Sequence, residues 1–435
     1  MNVRITGKRP TASWMVAAAC LALPPLAHAD LDPFALTAGE TVTHDSNVLR
    51  SPSATAQPDW LSDTRLRLDY NSTFGRSQAV AWASIDASRY RRARQLDNEG
   101  HLLGGEFDWA TLDHLSGKIG ADDNTSLYRA GLSDDKAFEG KSLIHTQRAF
   151  TRASLGSSST PLSIDGGLDF SSAKNSASAL AVNNLNQWVG DLGVSYMESP
   201  ALRISLLGRR TAGKYPDFLP GPLDFHRNDL VLDGNWTPGG FTNVEAQVAR
   251  TQEDYSVSGG RHYWTGFLRG NWQVTGHISL SASLARDSTQ NFEGGVLSQA
   301  GNTDTSGGQA GSTGSTGTAG QSGPTGTQSL IAQQSLSMND ALTLGGRWQA
   351  TSKIDLTGSY VRASRRYNNV TVGSLVLNGS DASRQYLGQI DYQVTRGIRT
   401  GCSLSRSTFA PGDLAALGTA FVSNAYSCFA ELAIR

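Results

Sequence analysis

The 435-residue chain has no uninterrupted apolar run of the roughly 18 residues that a helix needs to cross a bilayer, which excludes a helical membrane protein. Cysteine is almost absent, at 3 residues, so neither a disulfide scaffold nor a cysteine-rich metal centre is available. Charge of one sign is also lacking: 37 Lys and Arg face 38 Asp and Glu, a formal net charge of -1. Such a balance gives no basic surface for nucleic acid. Catalytic signatures are missing too. There is no Gly-x-Ser-x-Gly elbow, and His44, His101, His114, His145, His226, His262 and His277 are scattered singly in the sequence, without metal-ligand spacing. His145 or His262 could serve a His/Ser lipid hydrolase, but solvated loop or strand histidines explain them more simply. Asp122-Asp123-Asn124 looks like half a calcium loop; without its Gly and closing Glu it reads as a turn. No enzyme activity, cofactor or metal is expected.

What is present begins at the N-terminus. Arg4, Lys8 and Arg9 precede a short apolar stretch, Trp14 to Leu23, and Ala27-His28-Ala29 supplies a small-x-small cleavage site. Residues 1–29 therefore read as a secretory signal peptide, too short in its apolar part to span. Cys20 lies inside it. A lipoprotein signal is disfavoured, because Ala17 stands where such signals carry Leu. The mature chain, 30–435, then keeps Cys402 and Cys428 in an oxidising compartment, where one disulfide is expected.

The mature chain repeats one unit: an aromatic-ended strand, a tight polar turn and a second alternating strand. Examples are NWTPGGFTNVEAQV around Trp236 and RWQATSKIDLTGSY around Trp348. Period-2 alternation makes strands with two unlike faces. Leu162, Ile164, Leu168 and Phe170 oppose Ser163, Asp165 and Asp169; Trp264, Leu268, Trp272 and Val274 oppose Thr265, Arg269, Asn271 and Gln273. Short turns fall near 72–77, 111–114, 157–161, 198–201, 237–240, 275–277, 351–353 and 395–397. The one unusually long interval between turns contains a Gly/Ser/Thr-rich tract, 291–334, read as a disordered extracellular loop. Two strands per turn plus one at each end, near 34–44 and 424–434, give eighteen. Sixteen is the competitor, if 30–58 is a periplasmic arm or plug. The fold class is an all-β transmembrane antiparallel barrel with short periplasmic turns and long extracellular loops, in the bacterial outer membrane.

Two rings and a lumen follow from parity. Tyr70, Trp109, Tyr196, Trp236, Trp272, Trp348 and Tyr392 precede the short turns and suit an aromatic belt at the lipid–water boundary. Eight residues beyond the first apolar residue after a turn lie Arg210, Arg250, Arg286, Arg362 and Arg406. Their height and lipid-facing parity fit contacts to lipopolysaccharide phosphates as well as plain snorkelling. The opposite parity carries Asp191, Asp233, Glu245, Arg269, Arg347, Asp355 and Asp391, which describes a wet, lumen-lining face.

The mature start, LDPFALTAGETVTHDSNVLR, with Asp45-Ser46-Asn47-Val48-Leu49-Arg50 ahead of the hairpins, resembles the exosortase B-associated extracellular polysaccharide biosynthesis transporter family, the EpsL type. That resemblance implies an outer-membrane barrel assisting export of an extracellular polysaccharide, with periplasmic export machinery as partner beside outer-membrane lipid and lipopolysaccharide. The family supplies no catalytic residues. The ending Leu432-Ala433-Ile434-Arg435 departs from the terminal aromatic usual in barrels. The alternatives are a diffusion porin for hydrophilic solutes and a structural or adhesive surface barrel.

Overall fold

The computed structural model describes residues 33–111, 114–128, 141–156, 161–199, 201–218, 221–256, 258–288, 336–372, 375–412 and 420–434. The expected signal peptide and the 291–334 tract lie outside them. Eighteen strands follow one another in order. The first six are β1 (Phe34–Asp45), β2 (Asp59–Phe74), β3 (Ser77–Tyr90), β4 (Asn98–Ala110), β5 (Leu115–Tyr128) and β6 (Ser142–Leu155). Then come β7 (Leu162–Asn175), β8 (Leu185–Ser199), β9 (Leu202–Tyr215), β10 (Leu223–Trp236), β11 (Thr242–Tyr255) and β12 (Ser258–Thr275). The last are β13 (Ile278–Ser288), β14 (Leu336–Thr351), β15 (Ile354–Val372), β16 (Leu375–Gln393), β17 (Ile398–Ala410) and β18 (Phe421–Ile434).

Each strand pairs antiparallel with its sequence neighbours, and β1 pairs with both β2 and β18, so the sheet closes without an edge. The eight short turns expected from sequence fall in the intervals between consecutive strands at one end of the cylinder, those near 111–114, 157–161 and 198–201 lying partly outside the described residues. Residues 34–45 are a full strand rather than an arm or plug, which excludes the sixteen-strand arrangement. Asp122-Asp123-Asn124 is no turn either. It lies in mid-β5, where the outward Asp123 and the inward Asp122 and Asn124 keep the alternation going.

The outward face is apolar around the whole circumference. Leu66, Ile85, Leu103, Ile119, Leu168, Leu192, Leu230, Leu268, Leu284, Leu344, Ile390 and Leu404 all point out and are exposed. A soluble monomer rarely shows an apolar patch beyond a few hundred Å². A closed apolar band requires lipid as its solvent. Among the described residues two carboxylates interrupt it: Asp123 on β5, and Glu40 on β1, which accepts hydrogen bonds from the Ser62 and Thr64 hydroxyls on β2.

The structure places Tyr70, Trp109, Tyr196, Trp236, Trp272, Trp348 and Tyr392 on this outward face at the short-turn end. A second outward girdle, which the sequence reading missed, contains Trp60, Trp188, Trp264, Tyr386 and Tyr426. Eight residues separate Trp272 from Trp264 and Tyr196 from Trp188. At ~3.3 Å per residue and a tilt near ~40°, that is roughly 20 Å, close to the ~25 Å apolar band of such barrels. The signal was available, since these aromatics share the parity of the first belt. They do not sit beside a turn, so no punctuation marked them.

The segment that carried the family resemblance builds the barrel's seam. Arg50 adopts the left-handed backbone region (φ 53°), turning its guanidinium back to donate to Asp45 at 2.7 Å and to Ser423 of β18 at 2.9 Å. Asn47, fully buried, donates to the carbonyls of Ser51 and Val422. The loop after the first strand thus clasps the last. Close by on the outward face, Cys402 lies directly opposite Cys428 and the two are bonded, linking β17 to β18.

Candidate functional site

The candidate site is the lumen, and its wall is built by the inward parity of every strand. Opposite charges meet across neighbouring strands almost all the way round. Lys118 of β5 pairs with Asp108 of β4 at 3.3 Å, and Arg148 of β6 with Asp169 of β7 at 2.6 Å. Arg203 of β9 reaches Asp165 of β7 at 2.8 Å, and Arg269 of β12 meets Glu245 of β11 at 3.4 Å. Further round, Arg347 of β14 pairs with Asp355 of β15 at 3.1 Å and Arg399 of β17 with Glu431 of β18 at 2.8 Å. These pairs are mostly half-exposed, so each contributes little stability. They leave a hydrated wall of alternating donors and acceptors.

All seven residues expected to line the lumen lie on this wall. Asp191 is 3.7 Å from Arg152, and Asp391 accepts from Gln389 at 2.8 Å. Asp233 stands between Ser205 of β9 and Gln247 of β11. Toward the short-turn end the wall opens into a recess of about 480 Å³. Arg76, Lys118, Arg152 and Arg203 converge there with Asp108, Asp165 and Asp191. A volume of this order holds a small organic solute.

Toward the long-loop end the lumen is lined differently. Inward residues there are apolar and buried: Leu61, Tyr90, Ile144, Tyr215, Leu223, Phe225, Phe409 and Phe421. Three connections fold onto them. Val48 from the β1–β2 loop packs with Leu61 and Tyr90; Leu180, in the short 3-10 turn Ser178–Asn183, packs on Ile144; and Phe218 packs with Tyr215, Leu223 and Phe225. Phe409 and Phe421 stack at 5.9 Å. The wet interior therefore gives way to an apolar collar. Sequence reading missed it because the inward residue changes from polar to apolar only in the residues of β2, β3, β6, β9, β10, β17 and β18 nearest the long loops, while other strands keep polar ones such as Asn98, Glu253 and Arg365.

Beneath the collar lies a buried polar network on β10–β13. Arg227 and Asp229 have side-chain exposures of 3% and 1% and form a 2.9 Å pair. Arg227 also donates to Asp287 at 2.9 Å and to Ser288 at 3.0 Å, tying β10 to β13. Glu253, fully buried, accepts from Tyr263 at 2.7 Å and Tyr255 at 3.2 Å. With strands ~4.8 Å apart, three strand steps measure ~14 Å along the wall. Inward side chains of a closed barrel converge, and the Arg227 side chain covers that span together with Asp287 and Ser288.

On the outward face, Arg210, Arg250, Arg286, Arg362 and Arg406 are all exposed. Their surroundings differ. Arg286 is 3.7 Å from Asp340, which also binds Arg366. Arg250 lies over the Trp264 ring at 5.4 Å. Arg362 faces Arg384 across β15–β16, and Arg406 faces Tyr386 across β16–β17. The histidines are not all isolated. The ladders of β4, β5 and β6 bring His101 and His145 to Asp123, with candidate ligand atoms within 4.8 Å of one another. Strand pairing between residues more than 20 apart creates this group, so no local spacing in the sequence announces it.

No model of a known protein family matches the chain, and no curated protein matches it. Solved structures do resemble it. Pseudomonas aeruginosa OccK5 (OpdH) shares 12% identity over 93% of this chain and 99% of its own, with a TM-score of 0.44. P. aeruginosa OpdK with vanillate gives 11%, 93%, 99% and 0.46. The siderophore receptor PirA from Acinetobacter baumannii gives 8%, 92%, 80% and 0.43. At these identities the likeness concerns the barrel fold alone.

Proposed function

We propose that this protein is a non-enzymatic outer-membrane channel through which small hydrophilic solutes diffuse. The observation that carries the reading is the lumen: a nearly continuous ring of paired charges opening into a recess of about 480 Å³, beneath apolar clusters that connecting loops build at the long-loop end. Paired charges offer many hydrogen bonds without a strong field of one sign, which suits polar or weakly charged solutes. The collar favours this reading over passage of a polymer, because a chain of sugar residues would need the whole length of the lumen wide and wet. The lipid-exposed band supports residence in a membrane, and the short turns at one end support a periplasmic orientation for that end.

Reconstitution in planar bilayers tests the proposal. Discrete, ohmic conductance steps, together with uptake of small sugars or carboxylates into proteoliposomes, are expected. A protein that inserts and gives no conductance, while its deletion abolishes secreted polysaccharide and leaves small-solute uptake unchanged, would replace diffusion with the export role implied by the N-terminal resemblance.

A further inference from the structure

Three arginines crowd one patch of the outward face. Arg362 of β15 lies directly opposite Arg384 of β16, and Arg406 of β17 is the diagonal neighbour of Arg384, which faces Thr408. Directly opposed side chains on one face sit ~5 Å apart and diagonal ones ~7–8 Å, and like charges so placed repel. All three are exposed, and none forms an ion pair with a described carboxylate. Arg210 and Arg250 also form no ion pair with a described carboxylate, but neither faces another arginine. Arg286 and Arg366 share Asp340, and Arg365 has Asp381 at 2.6 Å. Below the patch, Tyr360 and Tyr386 pack at 5.0 Å, with exposed Leu404 and Tyr426 alongside. Apolar and aromatic groups at the height of the second girdle thus support a cationic cluster whose nearest outward carboxylate, Asp340, diagonal to Arg362, is already bound to Arg366.

We propose that Arg362, Arg384 and Arg406 form a binding site for the phosphorylated headgroup of a glycolipid in the outer leaflet, with the acyl chains lying over Tyr386, Leu404 and Tyr426. Planar guanidinium forks match phosphoryl oxygens two at a time, and one phosphate can answer two opposed arginines. The site rests on the outward face being lipid-exposed and is independent of what the lumen carries. Arg384 was absent from the ring expected from sequence because that ring was counted upward along strands leaving a short turn, whereas β16 descends toward one.

The test is a change of sign. In neutral detergent at low salt, Arg384→Gln removes repulsion and should melt above the parent protein. In the same detergent doped with bis-phosphorylated lipid A, it should melt below the parent and bind the lipid about tenfold more weakly. Arg286→Gln, whose neighbour is Asp340, should show no lipid-specific difference. A shift of Arg384→Gln in the same direction in both media would overturn the site. Equal stabilisation of the parent by millimolar inorganic phosphate would overturn the lipid assignment in favour of a free anion. Conductance of the Arg384→Gln preparation, expected to match the parent, keeps the channel reading separate from either outcome.

A second patch carries an independent inference. His101, Asp123 and His145 stand on the outward parity of β4, β5 and β6, His101 eight residues beyond Trp109 and so level with the second girdle. The His101 Nε2 is 2.7 Å from one Asp123 oxygen, and the His145 Nε2 is 3.3 Å from the other. Thr125 Oγ1 lies 2.9 Å from the His145 Nδ1, the supporting bond typical of a ligating imidazole. We infer a site for a borderline divalent cation such as Zn²⁺ or Ni²⁺, since imidazole donors disfavour Mg²⁺ and Ca²⁺. Calorimetric titration of Zn²⁺ into untagged protein should show one saturable site, lost in His101→Gln and in His145→Gln and unaffected by millimolar Ca²⁺. No saturable binding, or binding retained in both variants, overturns it.

Discussion

Replacing Arg227 with Met keeps the length of the side chain and removes its charge. The consequence follows from what the guanidinium holds: Asp229 on its own strand, Asp287 and Ser288 on β13, in a place where the pair is 3% and 1% exposed. Glu253 lies in the same cluster, already supported by two tyrosine hydroxyls. Arg227→Met therefore strands two carboxylates in a poorly hydrated site. Breaking a buried pair by removing one partner costs about 3–5 kcal/mol, most of it from the uncompensated charge left behind. Asp229→Asn should recover part of that loss when combined with Arg227→Met, because it removes one of the stranded anions. The two changes are then non-additive by ~1–3 kcal/mol. Urea titration of the folded barrel in detergent, followed by tryptophan fluorescence, measures both quantities. A loss below ~1 kcal/mol for Arg227→Met, the value of an exposed surface pair, would show that water reaches the network. The collar would then not be a dry constriction, and the argument that the lumen narrows there would fail with it.

Other expectations are more direct. Neutralising Arg152 and Arg203 together, each to Gln, leaves Asp165 and Asp191 without their cations in the recess. Reversal potentials across a KCl gradient should move toward cation selectivity, and no movement would place the recess off the conducting path. Arg50→Ala should cost about 2–3 kcal/mol through loss of charged hydrogen bonds at the seam between β1 and β18, and Asp45→Asn less. Equal urea midpoints for parent and Arg50→Ala would mean the clasp is decorative. Replacing Cys402 and Cys428 together with Ala opens a bridge spanning 26 residues. The chain-entropy model gives roughly 3 kcal/mol for a loop of that order. Two free thiols titrated in denatured, unreduced parent protein would show there is no bridge to lose.

How much of this was legible in the sequence depends on the range of the interaction. Strand count, turn positions and facing are set within a hairpin, by alternation and by the turn residues, so Trp236 or Asp165 could be assigned to a face from its neighbours alone. Contacts across one strand gap remained partly legible: Cys402 and Cys428, on the same parity of the last hairpin, pair at a separation that counting can reach. Beyond that, register accumulates. His101 meets His145 only after two successive registers fix their heights, and Arg227 meets Asp287 only after three, from β10 to β13. The same holds for Arg384. Its charge and parity were visible, but its opposition to Arg362 depends on the pairing of β15 with β16. A like-charge pair held face to face around a closed barrel cannot be relieved by slipping the register, because one residue of slip would turn every apolar side chain of the strand inward. Sheet closure therefore fixes the repulsion in place, and with Asp340 already engaged by Arg366, an anion from outside the chain is what remains to offset it.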